Sequence, residues 1–162
     1  MPPHAVKTIK DLIFYQYAKI IASSAAIPGY KFVMNRMKML SSGEIKMSVI
    51  LRELKMQMSG EERCCEYCRS TENLSWDHLI PRSKNGPDTA ENGVWACRLC
   101  NSSKGSKGIY EWYGVDRKDE LPRLVAGKYL KLLYEIHEAR ATLNATDLNG
   151  DGRLDVLDLE VF

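Results

Sequence analysis

The 162-residue sequence is 44% hydrophobic and 27% charged, values that are ordinary for a soluble globular protein and exclude a wholly disordered or collagen-like chain. Its formal net charge of +2 hides an uneven distribution, because residues 1–60 carry nine Lys and Arg against three acidic residues, whereas residues 119–162 carry five against nine. The basic N-terminal region could face nucleic acid, and a solvated helix surface is the alternative.

The N-terminal region is predicted to be helical. Apolar residues at helical spacing predict a first helix over residues 9–27 and a second over residues 33–40. Ser41 and Glu44 have the spacing of a capping box, which predicts a third helix over residues 45–58.

The composition of the remaining chain changes twice. Residues 61–118 contain short apolar pieces separated by Gly, Pro, Asn and Ser, as in a small unit that is held by something other than a core. An apolar stripe over residues 124–143 then predicts a long helix in the region 119–143. Residues 144–162 form an acidic tail. We therefore predict an α+β protein in which a helical frame, including residues 1–60, surrounds the loop-rich unit.

No membrane-spanning segment is expected. The longest apolar stretch, residues 12–27, is interrupted by polar residues and falls short of the roughly 18 apolar residues that a membrane helix needs. Asp11, Gln16 and Lys19 also break the pattern of a secretory signal peptide. We expect an intracellular, cytoplasmic protein.

Four of the five cysteines form two Cys-x-x-Cys pairs, Cys65 with Cys68 and Cys97 with Cys100. Cytosolic thiols stay reduced, so this spacing favours a metal site over disulfides. Four thiolates suit structural zinc. Free thiols or a redox pair are the alternatives, and Cys64 is expected to be a spare reduced thiol.

A second group of polar residues accompanies these pairs: adjacent Asp77 and His78, then Asn92, Asn101 and Lys104. This arrangement resembles the HNH endonucleases, whose ββα-metal fold places a zinc-held hairpin and one helix around a single divalent cation. The resemblance covers about a quarter of the chain.

The resemblance implies a role for each residue. Asp77 and Asn101 would hold Mg²⁺ or Mn²⁺, and His78 would be the general base that activates water. Asn92 would order the loop, and Lys104 would contact phosphate. Asn101 stands where the family often has histidine, and its weaker amide ligand favours Mg²⁺ or Mn²⁺ over a tightly held transition metal. The implied substrate is double-stranded DNA, cut to leave 3′-hydroxyl and 5′-phosphate ends.

The local sequence agrees with a ββα unit. Residues 74–79 alternate as a strand and residues 94–96 form a short apolar strand, so residues 81–93 are the loop between them. In the following helix, Asn101 and Lys104 stand three apart and therefore share one face.

Each polar residue also has a plain structural alternative. The Asp-His dipeptide could be a surface pair, Asn92 a turn residue and Lys104 a solvated helix residue. Trp76 and Trp95 are predicted to pack between the strands and not to stack on bases.

The acidic tail has the ligand spacing of a calcium loop. Oxygen-bearing side chains stand at loop positions 1, 3, 5, 9 and 12, with Gly152 at position 6: Asp147, Asn149, Asp151, Asp155 and Asp158. Aspartate at the last position resembles the loops of dockerin modules, which have two such loops where this sequence has one. Calcium binding is the prediction, and a mobile tail that offsets the basic N-terminal region is the alternative.

The sequence is compatible with three functions. The leading one is a metal-dependent HNH endonuclease with structural Zn²⁺ and catalytic Mg²⁺ or Mn²⁺. The second is a zinc-containing nucleic-acid-binding protein that has the fold but little catalytic activity. The third is a calcium-dependent interaction module whose tail recruits a protein partner.

Overall fold

The computed structural model describes residues 2–47 and 63–162 of the chain. These residues fall into two compact units, the first made of residues 2–47 and 130–162 and the second of residues 63–129. Helices dominate the described residues, and their two strands pair in one small antiparallel sheet. The predicted α+β class is confirmed.

Two helices form the N-terminal part of the first unit, α1 (Ile9–Ala25) and α2 (Tyr30–Ser42). α1 begins in a capping box, in which the Thr8 hydroxyl accepts the Asp11 N–H and the Asp11 carboxylate accepts the Thr8 N–H. α2 ends where Gly43 adopts the left-handed conformation. The first two predicted helices are confirmed.

The predicted start of a third helix is wrong. Ser41 lies inside α2, so it does not cap a following helix. The span predicted for that helix, residues 45–58, lies mainly outside the described residues.

The long C-terminal helix, α5 (Arg123–Ala139), is shorter than predicted and does not reach Leu143. The backbone becomes left-handed at Ala141, with φ of 57°. The Thr142 N–H then bonds back to the His137 carbonyl at 2.9 Å, which closes the last turn.

An antiparallel hairpin is the centre of the second unit. β1 (Leu74–His78) pairs with β2 (Gly93–Cys97), and Trp76 lies opposite Trp95. The two indole rings meet edge to face with centroids 5.3 Å apart, so the predicted packing between the strands is confirmed.

Two short helices complete this unit before α5 begins. α3 (Arg98–Lys104) follows β2 directly, with Cys97 as its N-cap residue, and α4 (Ile109–Tyr113) comes next. β1, β2 and α3 form the predicted ββα arrangement. None of the helices in the described part of the chain combines the length and apolar character needed to cross a bilayer.

Candidate active site

Four cysteine sulfurs converge on one point in the second unit. The sulfurs of Cys65, Cys68, Cys97 and Cys100 all lie within 4.8 Å of one another. Tetrahedral zinc, bound at about 2.3 Å from sulfur, requires sulfurs about 3.8 Å apart, and the sulfurs of Cys68 and Cys97 are 3.6 Å apart. Cys64 is not part of the group, as predicted. The arrangement fits one structural zinc ion.

The start of α3 favours the thiolate form of one ligand. The Cys97 sulfur accepts the Cys100 N–H at 3.4 Å. This hydrogen bond lowers the pKa of Cys97 to about 7, whereas burial raises the pKa of Cys100. Because metals bind thiolates, Cys97 is prepared to bind a metal near neutral pH.

Asp77 on β1 is a buried carboxylate with two internal donors. Its Oδ2 accepts the Tyr67 hydroxyl at 2.8 Å, and its Oδ1 accepts the Lys104 ammonium at 3.2 Å. Lys104 is itself buried and also donates to the His78 carbonyl at 2.8 Å. A carboxylate oxygen can accept two hydrogen bonds or ligands, so each oxygen of Asp77 can take one more.

Asn101 faces the same side of the hairpin. Ser75 and Asp77 lie on one face of β1 because side chains alternate along a strand. The Asn101 Nδ2 donates to the Ser75 hydroxyl at 3.1 Å. This hydrogen bond uses the amide nitrogen and leaves the amide oxygen as a possible metal ligand. One carboxylate and one amide oxygen are a donor set that suits a hard cation such as Mg²⁺.

His78 has a partner, Asp88, that its sequence motif does not predict. Its Nε2 lies 2.9 Å from Asp88 Oδ1. The hydrogen bond from His78 is the main cause that lowers the pKa of Asp88, and the nearby charge of Arg82 adds to the effect. Asp88 lies in an irregular loop, where no periodic pattern marks a residue that folds back onto the strand.

Asn92 ties the two ends of this loop together. It is fully buried, its Oδ1 accepts the Ile80 N–H at 2.8 Å, and its Nδ2 donates to the carbonyls of Ile80 at 3.0 Å and Pro87 at 2.8 Å. A Cβ atom on Gly86 would lie 1.8 Å from the Ile80 carbonyl oxygen. The loop therefore passes too close to the Ile80 backbone for any side chain at position 86.

Lys128 from α5 supports the turn before β2. Its Nζ donates to the carbonyls of Ala90 at 3.0 Å and Gly93 at 2.8 Å, and it lies 5.7 Å from the centre of a Trp76 ring. Burial lowers the pKa of Lys128 to about 8. The turn that includes Asn92 is thus fixed by a second buried donor.

The predicted calcium loop belongs to the first unit. Asp147 accepts the N–H groups of Gly150 at 2.7 Å and Gly152 at 2.9 Å. Asp158 is fully buried and accepts three N–H groups, those of Leu148, Asn149 and Asp155. Within the described residues, the carboxylates of the tail do not converge as closely as the four cysteine sulfurs.

The structure arranges the predicted catalytic residues around one hairpin. Asp77 and His78 lie on β1, Asn92 precedes β2, and Asn101 and Lys104 lie on α3. The side chains of Asn101 and Lys104 both bond to β1 residues, as their shared helix face predicts. The Lys104 ammonium is buried inside the protein, whereas the family resemblance implied a contact with phosphate.

Comparison with known families bears on this part of the chain. The family model described as HNH endonuclease matches residues 65–107, which include both cysteine pairs, both strands and α3. This segment is an HNH unit, so the resemblance inferred from its motifs is confirmed, and it indicates a nuclease or nucleic-acid-related function. No curated protein and no solved structure matches the chain.

Removal of the metal is expected to unfold the second unit selectively. All three tryptophans of the chain, Trp76, Trp95 and Trp112, belong to this unit, so tryptophan fluorescence and near-ultraviolet circular dichroism report on it. The purified protein should contain one zinc per chain, and a chelator should abolish the tryptophan part of the near-ultraviolet signal because the metal supplies folding free energy. Cys65→Ser should lose zinc and Cys64→Ser should keep it. Zinc-free protein with an unchanged spectrum would contradict this prediction.

Asn92→Ala should destabilise the second unit by about 2–4 kcal/mol. The change leaves the Ile80 N–H and two carbonyls without their buried partner, and each such loss costs roughly 1–3 kcal/mol. Urea unfolding followed by tryptophan fluorescence measures the effect. Thr89→Ala, at an exposed residue whose side chain caps nothing, is the control and should change stability by less than about 0.5 kcal/mol.

Proposed function

We propose that the second unit is a metal-dependent endonuclease that hydrolyses phosphodiester bonds of double-stranded DNA. The observation that supports this most directly is the placement of His78 beside Asp77 on β1, with the Asn101 amide held by Ser75 of the same strand. A candidate general base and two candidate oxygen ligands are thereby carried by β1 and α3, the elements that the cysteine cluster joins. The family match of this segment supports the same class of reaction.

Asp77 and Asn101 would hold the divalent cation, Mg²⁺ or Mn²⁺. Such a cation, when bound, polarises the scissile phosphate and neutralises charge on the departing oxygen. Mg²⁺ takes few protein ligands and keeps several waters, so two side chains are a sufficient donor set.

His78 accounts for the proton transfer from the attacking water. His78 takes a proton from a water molecule as the water oxygen bonds to phosphorus and the bond from phosphorus to the 3′-oxygen breaks. The departing oxygen takes a proton from solvent, and His78 later returns its proton to solvent. The products are a 3′-hydroxyl and a 5′-phosphate.

We assign Lys104 a positioning role in this reaction. Its buried ammonium bonds to the Asp77 carboxylate and to the His78 carbonyl, so it fixes the side chain of one residue and the backbone of the next. This role replaces the phosphate contact that the resemblance implied, because an ammonium that is 1% exposed has little access to a substrate.

One observation favours the second candidate function, nucleic-acid binding with little catalysis. The Lys104 ammonium offsets the negative charge of Asp77 and thereby weakens its attraction for a cation. A protein that binds DNA with steep salt dependence and does not cleave it with any divalent metal would establish this alternative.

His78→Ala should lower the initial rate of plasmid nicking by at least about 100-fold, which is the usual contribution of a general base. The assay uses supercoiled plasmid with Mg²⁺ or Mn²⁺, and DNA binding measured by fluorescence anisotropy should stay unchanged. His4→Ala, at an exposed residue of the first unit, is the control and should cleave at the wild-type rate. Full activity in the His78→Ala protein would rule out the proposed base.

We further propose that the acidic tail binds one Ca²⁺ ion through its five oxygen-bearing side chains. The spacing of Asp147, Asn149, Asp151, Asp155 and Asp158 supports this proposal. Recruitment of a protein partner by the tail would then depend on calcium.

Asp147→Ala should remove one calcium site per chain as measured by titration calorimetry. Asp147 is the better position for the test because it is exposed, whereas Asp158 is buried and accepts three backbone N–H groups. Asp116→Ala removes an exposed aspartate of the second unit and should leave calcium uptake unchanged. Equal calcium uptake by the wild-type and Asp147→Ala proteins would exclude the tail as the site.

A further inference from the structure

The two ring nitrogens of His78 have different surroundings. Nε2 is bonded to Asp88 Oδ1 at 2.9 Å. Nδ1 has no hydrogen-bond partner among the residues that the structure describes. In a neutral imidazole one nitrogen carries the proton and the other the lone pair, and the hydrogen bond made by one decides the role of the other.

Asp88 is exposed, yet its backbone is fixed close to β1. The Asn92 side chain donates to the carbonyl of Pro87, the residue just before Asp88. Gly86 donates its N–H to the Pro81 carbonyl at 3.0 Å and passes against the Ile80 carbonyl, where no side chain fits. These backbone contacts fix the position from which the Asp88 side chain reaches His78. The aspartate side chain is short, so few rotatable bonds separate its carboxylate from the fixed backbone.

We propose that Asp88 is a positioning residue, whose carboxylate holds His78 in the tautomer with the proton on Nε2 and thereby leaves the lone pair on Nδ1 to accept the proton of the attacking water. The inference rests on the proposed nuclease function and deepens it, because it states which nitrogen is the base. Asp88 itself touches neither substrate nor water in this scheme.

The same carboxylate stabilises the product of the proton transfer. When Nδ1 takes the proton from water, the imidazole becomes a cation whose Nε2–H still points at a negatively charged oxygen. The Asp88 proton count does not change, the hydroxide oxygen bonds to phosphorus, and the 3′-oxygen departs. An exposed ion pair of this kind contributes little to the free energy of unfolding. We therefore expect loss of Asp88 to change the reaction rate more than the stability.

The test separates a positioning role from a merely structural one through two readouts. The first is the ¹⁵N chemical shift of the His78 ring nitrogens at alkaline pH in the zinc-loaded protein, assigned with a His78→Gln variant among the three histidines of the chain. The wild-type protein should show one dominant tautomer with a protonated Nε2. Asp88→Ala should show a mixture, and Asp88→Glu should restore part of the wild-type population.

The second readout is the kinetics of plasmid nicking. Asp88→Ala should lower kcat by about 10–100-fold with KM unchanged, as expected for loss of a group that orients a reacting side chain. Asp88→Glu should recover part of that loss. Asp116→Ala, which changes an exposed aspartate in the 3-10 helix Val115–Glu120 of the same unit, should behave as wild type.

The two readouts also separate this inference from the proposed function. An active wild-type protein whose kcat is unchanged by Asp88→Ala, or a His78 tautomer that is the same with and without Asp88, overturns the positioning role. A wild-type protein that cleaves no DNA overturns the nuclease proposal, and the ¹⁵N shifts then decide by themselves whether Asp88 sets the tautomer.

Discussion

The convergence of four cysteine sulfurs is the constraint on which the second unit depends. Its sheet consists of two strands of five residues each, and a hairpin of that size is marginally stable alone in water. A small buried cluster of Cys65, Ala96 and Cys97 lies at the cysteine site itself. Closing four thiolates around one ion joins the segment before β1 to the start of α3, so the free energy of metal binding becomes free energy of folding.

Buried polar groups then fix the site within that frame. Asp77 and Lys104 form a buried ion pair. Asn92 supplies hydrogen bonds to the backbone of the loop, and Lys128 supplies them to the backbone at the turn before β2. Each bond replaces water that the buried group has lost, and breaking one would leave an uncompensated partner. The cost of disturbing these bonds holds β1 in one geometry before any substrate arrives, which is the preorganisation that the proposed hydrolysis would need.

Sequence spacing predicted the parts of this site that follow local rules. The cysteine pairs, the strand alternation and the shared helix face of Asn101 and Lys104 are all set by neighbours along the chain. The partner of Lys104 could not be predicted, because the spacing along the sequence shows which face of the helix a residue occupies but not which group packs against that face. Asp88 was missed for a similar reason, since an irregular loop brings it to His78. The end of α5 depends on a left-handed turn at Ala141 that no glycine marks.

Cleavage of supercoiled plasmid by the zinc-loaded protein, with mass-spectrometric analysis of the new ends, is the decisive experiment for the proposed nuclease. We expect Mg²⁺- or Mn²⁺-dependent nicks that carry a 3′-hydroxyl and a 5′-phosphate, because in the proposed reaction the P–O3′ bond breaks after attack by water activated at His78. Absence of cleavage with either metal in folded, zinc-loaded protein, or ends with a 3′-phosphate, would contradict it.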